Sequence, residues 1–131
     1  KTMIASDGMP YAPLAHPRTA GTFSRVLGKY VREEKVIDLM TAIGKMSYLP
    51  AKRLETIAPS MHLKGRLQVG ADADICVFNP TTITDKASFE KGLAFSEGME
   101  FVIVNGILVL KNGKTLSNTF PGQPIYGKFK K

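Results

Sequence analysis

Between Phe101 and Leu110 the chain reads Phe-Val-Ile-Val, Asn-Gly, Ile-Leu-Val-Leu. Two β-rich runs separated by Asn-Gly specify a two-residue type I′ hairpin, because both central residues need positive φ and Asn and Gly adopt it readily. Both arms are apolar at successive positions, and successive strand residues point to opposite faces. The hairpin therefore has two apolar faces. Two or three strands cannot bury that much surface alone, so further strands must come from elsewhere. A second Asn-Gly, Asn112-Gly113, precedes Lys114-Thr115-Leu116 and predicts a third strand or a turn.

Upstream lies Gly65–Pro80, GRLQVGADADICVFNP. Ile75–Phe78 is a run of β-formers closed by the turn signal Asn79-Pro80. Ile75 and Val77 share one face and Cys76 and Phe78 the other, so this strand is expected to be covered on both sides, with Cys76 as a buried small hydrophobe. Thr81 to Gly98 carries weak signals and reads as a long excursion, a kind of segment that is uncommon without structure of its own and often functional.

Most of the chain before Gly65 reads as helical. Thr22 is a suitable cap, and Phe23, Val26, Leu27, Tyr30 and Val31 follow at the spacing of a buried helical stripe. A second helix is predicted from Val36 to Ser47, with Val36, Leu39, Met40, Ile43 and Met46 on its inner face and its methionines as core filler. Leu49-Pro50 starts a short third helix, with Leu54 and Ile57 on its inner side, that ends at Ala58-Pro59. The pattern is α+β: two or three helices, then a mostly antiparallel sheet.

The first residues are different again. Met3–Ala5 is a brief apolar segment predicted as a strand, ending in Ser6-Asp7-Gly8 and followed by a proline-rich loop through His16-Pro17-Arg18. A strand that delivers an aspartate into a long loop is how parallel α/β barrels place catalytic groups, although Ser-Asp-Gly is also a common turn. A strand that begins at once after Lys1 reads as the middle of something larger.

Composition excludes several classes. The chain has 131 residues, 44% hydrophobic and 22% charged, which fits one globular domain and not a disordered chain. No apolar run approaches the roughly 20 residues that span a bilayer, and no signal peptide opens the chain; a cytoplasmic location is the expectation. With one cysteine no internal disulfide can form. Net charge is +7, but Lys and Arg are spread over the helices. Only Lys128, Lys130 and Lys131, interleaved with Tyr126 and Phe129, form a basic cluster, which reads as a solvated tail.

Taken in order, several motifs form a set: Ser6-Asp7-Gly8, His16-Pro17-Arg18, Gly21-Thr22-Phe23 through Glu33, Leu49-Pro50-Ala51, Gly65-Arg66-Leu67, Gly70-Ala71-Asp72-Ala73-Asp74 and Val104-Asn105-Gly106. The set resembles the carboxyl-terminal portion of the D-aminoacylase branch (N-acyl-D-amino-acid deacylases) of the metal-dependent amidohydrolases. The resemblance implies that residues 1–62 are the last strand and closing helices of an incomplete (β/α)8 barrel, and that residues 63–131 are the carboxyl-terminal half of a β-sandwich. It implies that Asp7 is the catalytic aspartate beside the metal, handling the proton of the attacking water. Arg18 would hold the substrate carboxylate through paired hydrogen bonds, with His16 beside it in the substrate-binding segment.

The family binds zinc, yet its His-x-His pair and later histidines have no counterpart here, and two histidines and one cysteine cannot compose a zinc site from family positions. His62 is expected at the surface. The expected cofactor set of this chain is therefore empty, and the expected partner is the missing amino-terminal part of the enzyme, or a second copy reached through exposed sheet faces. Two other classes stay open: a stand-alone assembly or binding module and, from charge alone, a nucleic-acid binder.

Overall fold

A computed structural model describes residues 2–10 and 15–129. The helical half comprises α1 (Arg18–Arg25), which runs directly into a π-helical segment (Val26–Glu33), then α2 (Leu39–Met46), α3 (Tyr48–Leu54) and a 3₁₀ turn at Pro59–Leu63. The second half is a four-stranded antiparallel meander, β1 (Ile75–Phe78), β2 (Met99–Val104), β3 (Ile107–Lys111) and β4 (Lys114–Thr115), in the spatial order β1-β2-β3-β4. This is the α+β pattern expected.

Both Asn-Gly turns form as predicted. Asn105 and Gly106 have φ of 50° and 77°, and Asn112 and Gly113 of 50° and 73°. The first pins the register so that Val104 faces Ile107, and the second sets Lys111 opposite Lys114. Bulges between Val77 and Phe78 and between Val102 and Ile103 add local twist.

The helices depart from prediction in their ends and faces. α1 begins at Arg18, not at Thr22, whose hydroxyl donates to the Arg18 carbonyl one turn back instead of capping. Its buried face is Gly21, Ser24, Val26, Leu27 and Gly28, while Phe23 and Tyr30 are exposed. α2 begins at Leu39 because Asp38 accepts from the Thr41 amide at 2.9 Å. Val36 and Met40 lie outside the packed face, 68% and 72% exposed, and Ala42 is the fully buried residue. In α3 the contact is made by Ala51, 2% exposed, while Leu54 and the following Ile57 face out. Small residues occupy these interfaces because backbone comes close: a Cβ on Gly65 would meet the Ser47 carbonyl oxygen at 2.7 Å.

Two further expectations fail. Met3–Ala5 is not a strand; Ile4 N–H donates to the Lys45 carbonyl and the Lys45 ammonium to Thr2. A strand needs a neighbour to bond, and among the described residues none lies beside it. Cys76 is exposed, as is Val77, because β1 is an edge strand paired only with β2 and no described layer covers its outer face.

The excursion from Thr81 to Gly98 is a strap laid along α1. It is closed at its base by paired hydrogen bonds between Thr84 and Glu97, 3.1 and 3.0 Å. Ile83, 0% exposed, is its anchor. Arg32 donates to the Ile83 carbonyl, and a Cβ on Gly28 or Gly98 would collide with Ile83 backbone. Further along, Arg25 pairs with Asp85 at 3.1 Å, and Ser96 donates to the Ala20 carbonyl. The salt bridge raises the already high pKa of Arg25.

A separate latch ties helices to sheet through the Gly-Ala-Asp-Ala-Asp motif. Lys64 reaches Asp72 at 2.9 Å and Asp74 at 2.5 Å, while Asp74 accepts from the Asn105 amide at 2.7 Å and Ala73 from that of Gly106 at 3.0 Å. The hydrogen bond from Lys64, then that from Asn105, holds the Asp74 carboxyl below the usual aspartate range, and the hydrogen bonds to Asp74, then Asp72, raise Lys64.

Two predictions follow the strap and the latch. Ile83→Ala removes a fully buried side chain and is expected to cost about 2–4 kcal/mol, read by urea unfolding. Asp74 titrates lower folded than unfolded, so its contribution is full above the unfolded value and fades as pH falls through the folded one. Asp74→Asn should therefore narrow its stability deficit as pH drops below about 4; a deficit that is constant from pH 7 to 3 in thermal melts would contradict the latch.

Candidate functional site

Residues 6–8 and 16–18 converge at the start of α1. Ser6 Oγ accepts from the Gly8 amide at 3.3 Å, turning the chain so that Asp7 sits at φ 50°, a left-handed conformation that aspartate tolerates better than most residues. Gly8 is required by proximity: a Cβ there would lie 2.8 Å from Thr19 Cα. The Met9 amide donates to Thr19 Oγ1 at 3.3 Å, so the chain after Asp7 is held against the first turn of α1, while before it the Ile4 amide is bonded to the Lys45 carbonyl of α2.

Arg18, the first residue of α1, reaches back to Asp7. Its Nη2 lies 2.8 Å from Asp7 Oδ2, and its Nε donates to the Asp7 carbonyl at 3.0 Å. The pair is open to solvent, with side-chain exposures of 45% for Arg18 and 82% for Asp7. Exposed pairs of this kind contribute little to stability. The structure thus brings together the carboxylate and the guanidinium singled out in the sequence and leaves both accessible.

His16 lies at the same place with a defined role. Its Nδ1 accepts from the Arg18 amide at 3.1 Å, and its carbonyl accepts from Thr19 at 2.9 Å. An accepting Nδ1 leaves the proton of a neutral ring on Nε2. The ring packs edge-on against Phe89, centroids 5.1 Å apart at 78°. Phe89 was missed in the sequence. The available signal was a lone aromatic in a polar stretch of a long loop, which is too common to single out.

The other candidates lie elsewhere. His62 is exposed, as expected, and its Nδ1 donates to the Pro59 carbonyl at 2.6 Å. Of the basic tail, Lys128 lies 5.2 Å from the Phe129 ring while its amide is bonded to the Ile57 carbonyl, and Lys130 and Lys131 lie outside the described residues. Among the described residues no three His, Cys, Asp or Glu side chains converge to hold a metal ion, and no helix is long and apolar enough to cross a membrane. Asp7 is thus the one acidic member of this group of residues and cannot form a metal site alone.

The chain is 45% identical to an N-acyl-D-glutamate deacylase of Alcaligenes xylosoxydans xylosoxydans over 107 residues, and 38% identical to an N-acyl-D-aspartate deacylase of the same organism over 124. Among solved structures, a D-aminoacylase with a binuclear metal centre superposes with a TM-score of 0.85 over 95% of the chain at 37% identity. This chain is homologous to the D-aminoacylases. An N-acyl-D-glutamate deacylase from Bordetella bronchiseptica, in complex with zinc and a phosphonate mimic of the tetrahedral intermediate, superposes with a TM-score of 0.80 at 39% identity. The homology has a boundary: the chain spans 21% to 25% of the length of these relatives, their carboxyl-terminal portion. No protein-family model matches it.

The exposure of the Asp7–Arg18 pair yields a test. Asp7→Asn and Arg18→Ala should each leave the unfolding free energy within the roughly 0.5 kcal/mol of ordinary surface changes, measured by denaturant titration. A loss of several kcal/mol would mean that the pair is a structural clamp.

Proposed function

We propose that this chain supplies the carboxyl-terminal portion of a metal-dependent amidohydrolase that hydrolyses the amide bond of N-acyl-D-amino acids. The observation that carries the reading is the meeting of Asp7 and Arg18, an exposed carboxylate and an exposed guanidinium, in a chain homologous to deacylases. Among the described residues no three potential ligands converge, and in this reading the metal ligands are supplied by the amino-terminal remainder of the enzyme. A metal ion in such a site supplies Lewis-acid chemistry.

The residues present have roles that follow from their chemistry. Amide hydrolysis adds water to the carbonyl carbon and expels an amine, so one proton must leave the water and one must reach the nitrogen. Asp7 can carry that proton across, since its carboxylate is accessible and lies on a segment held to Lys45 before it and to Thr19 after it. Arg18 has five N–H donors, two of which engage Asp7. Others can grip the substrate carboxylate while the arginine still holds Asp7, placing substrate and proton carrier together.

An assembly module is the second reading, favoured by the open edge at β1 with Cys76 and Val77 exposed. In the enzyme reading the same edge takes strands from the missing amino-terminal part; in the module reading it takes a second copy. The charge offers less to a nucleic-acid reading, since Arg25, Lys52, Lys64, Arg66 and Lys86 are all engaged in ion pairs.

The test is a hybrid in which this chain replaces the matching portion of the Alcaligenes N-acyl-D-glutamate deacylase. The hybrid with zinc should release amino acid from N-acyl-D-amino acids, and the 131-residue chain alone should not. Asp7→Asn should lower kcat by about 10²-fold or more, and Arg18→Lys should chiefly raise KM, because an ammonium cannot reproduce the guanidinium fork. A folded hybrid that is inactive, with this chain alone forming a discrete dimer in light scattering, would transfer support to the module.

A further inference from the structure

We propose that Phe89 is a positioning residue for Arg18, acting through His16. The tip of the strap is a tight turn, with Ser88 and Lys91 exchanging backbone hydrogen bonds of 3.2 Å and Ser88 Oγ accepting from Lys91 at 3.1 Å. That turn lifts Phe89 out to 73% exposure. An apolar ring in water gains nothing from such a position by burial. It does have one defined aromatic contact, with its neighbour His16.

The contact continues into the site. His16 takes the Arg18 amide on Nδ1, which sets the ring tautomer and fixes the backbone from which the Arg18 side chain departs. Arg18 then closes on Asp7 through Nη2 and Nε. The strap is seated firmly enough to transmit this: a Cβ on Gly92 would run into the Ala15 carbonyl, Ala15 and Ala94 are 4% and 7% exposed, and Ile83 anchors the base. Phe89, His16, Arg18 and Asp7 thus form one mechanical series from strap to carboxylate. The strap sets the angle of the guanidinium without touching substrate.

An aromatic edge contact is worth about threefold to tenfold in an equilibrium, and the test reads that change in two independent ways. In the 131-residue chain, nitrogen-15 NMR and amide exchange report His16 and Arg18 directly. The expected result is an Nε2–H tautomer with a protected Arg18 amide, mixed tautomers and about threefold to tenfold faster Arg18 exchange in Phe89→Ala, and recovery in Phe89→Tyr. Exchange and tautomer unchanged in Phe89→Ala would overturn the proposal. Because the ring is exposed, its truncation leaves the fold in place, and exchange at the Ile103 amide serves as the control.

The second arm rests on the deacylase reading. In the hybrid enzyme, Phe89→Ala should raise KM for N-acyl-D-amino acids about threefold to tenfold, with kcat held, and should leave kcat/KM unchanged for the corresponding substrates whose carboxylate is amidated. An equal loss on both substrate types would overturn the link to Arg18. An inactive hybrid together with the NMR change would instead discard the deacylase reading and keep the positioning series.

Discussion

The backbone of Ile83 is where the two halves of this protein are joined. Its side chain is fully buried, its carbonyl receives the Arg32 guanidinium, and both Gly28 and Gly98 are bare of side chain where they meet it. Close approach without a Cβ lets the strap lie directly on the helix, and a charge-assisted hydrogen bond satisfies a carbonyl that the approach removes from water. The π-helical segment from Val26 to Glu33 carries both Gly28 and Arg32, so the irregular part of the helix is the part that receives the strap. From this junction the helices are fixed on one side and β1 and β2 on the other.

The second tie, Lys64 with Asp72 and Asp74, works by charge where the first works by shape. Asp74 also accepts from the amide at the head of the β2–β3 turn, so one carboxylate serves the helix connection and the hairpin together. This motif, one of those that carry the family resemblance, therefore has a structural task, while Asp7 and Arg18, the residues of the proposed chemistry, lie some sixty residues away in the chain. Asp7 lies on the accessible surface of a segment held by Thr19 and Lys45, and Arg18 opens the helix against which that segment rests. Rigid support under exposed polar groups is the arrangement that catalysis asks of a scaffold.

The described half-buried and open-edged sheet and the homology over a quarter of longer relatives describe the same condition from two sides. Strands apolar on both faces call for more layers than the described residues supply. Val77 and Cys76 are exposed on β1, and Val36 and Met40 on the helical side, at positions where sequence patterning called for burial. Patterning records the surroundings a residue is suited to, and here it points to surroundings that the described residues do not complete.

Short-range rules decided much of this chain. The two type I′ turns, the Ile75–Phe78 strand and the change from helices to antiparallel sheet follow from φ preferences and side-chain periodicity, which act over a few residues. Asp7, His16 and Arg18 are singled out by a family resemblance and not by any local rule, although their convergence is short-range in the chain. What the tertiary structure alone decided is of longer reach: that Asp38 and not the apolar run starts α2, that Ala51 rather than Leu54 packs, that Met3–Ala5 bonds to Lys45 instead of forming a strand, and that Phe89 meets His16 across more than seventy residues of chain. Each of these depends on which backbones come close enough to touch, and no local pattern encodes a distance between segments that meet only after folding.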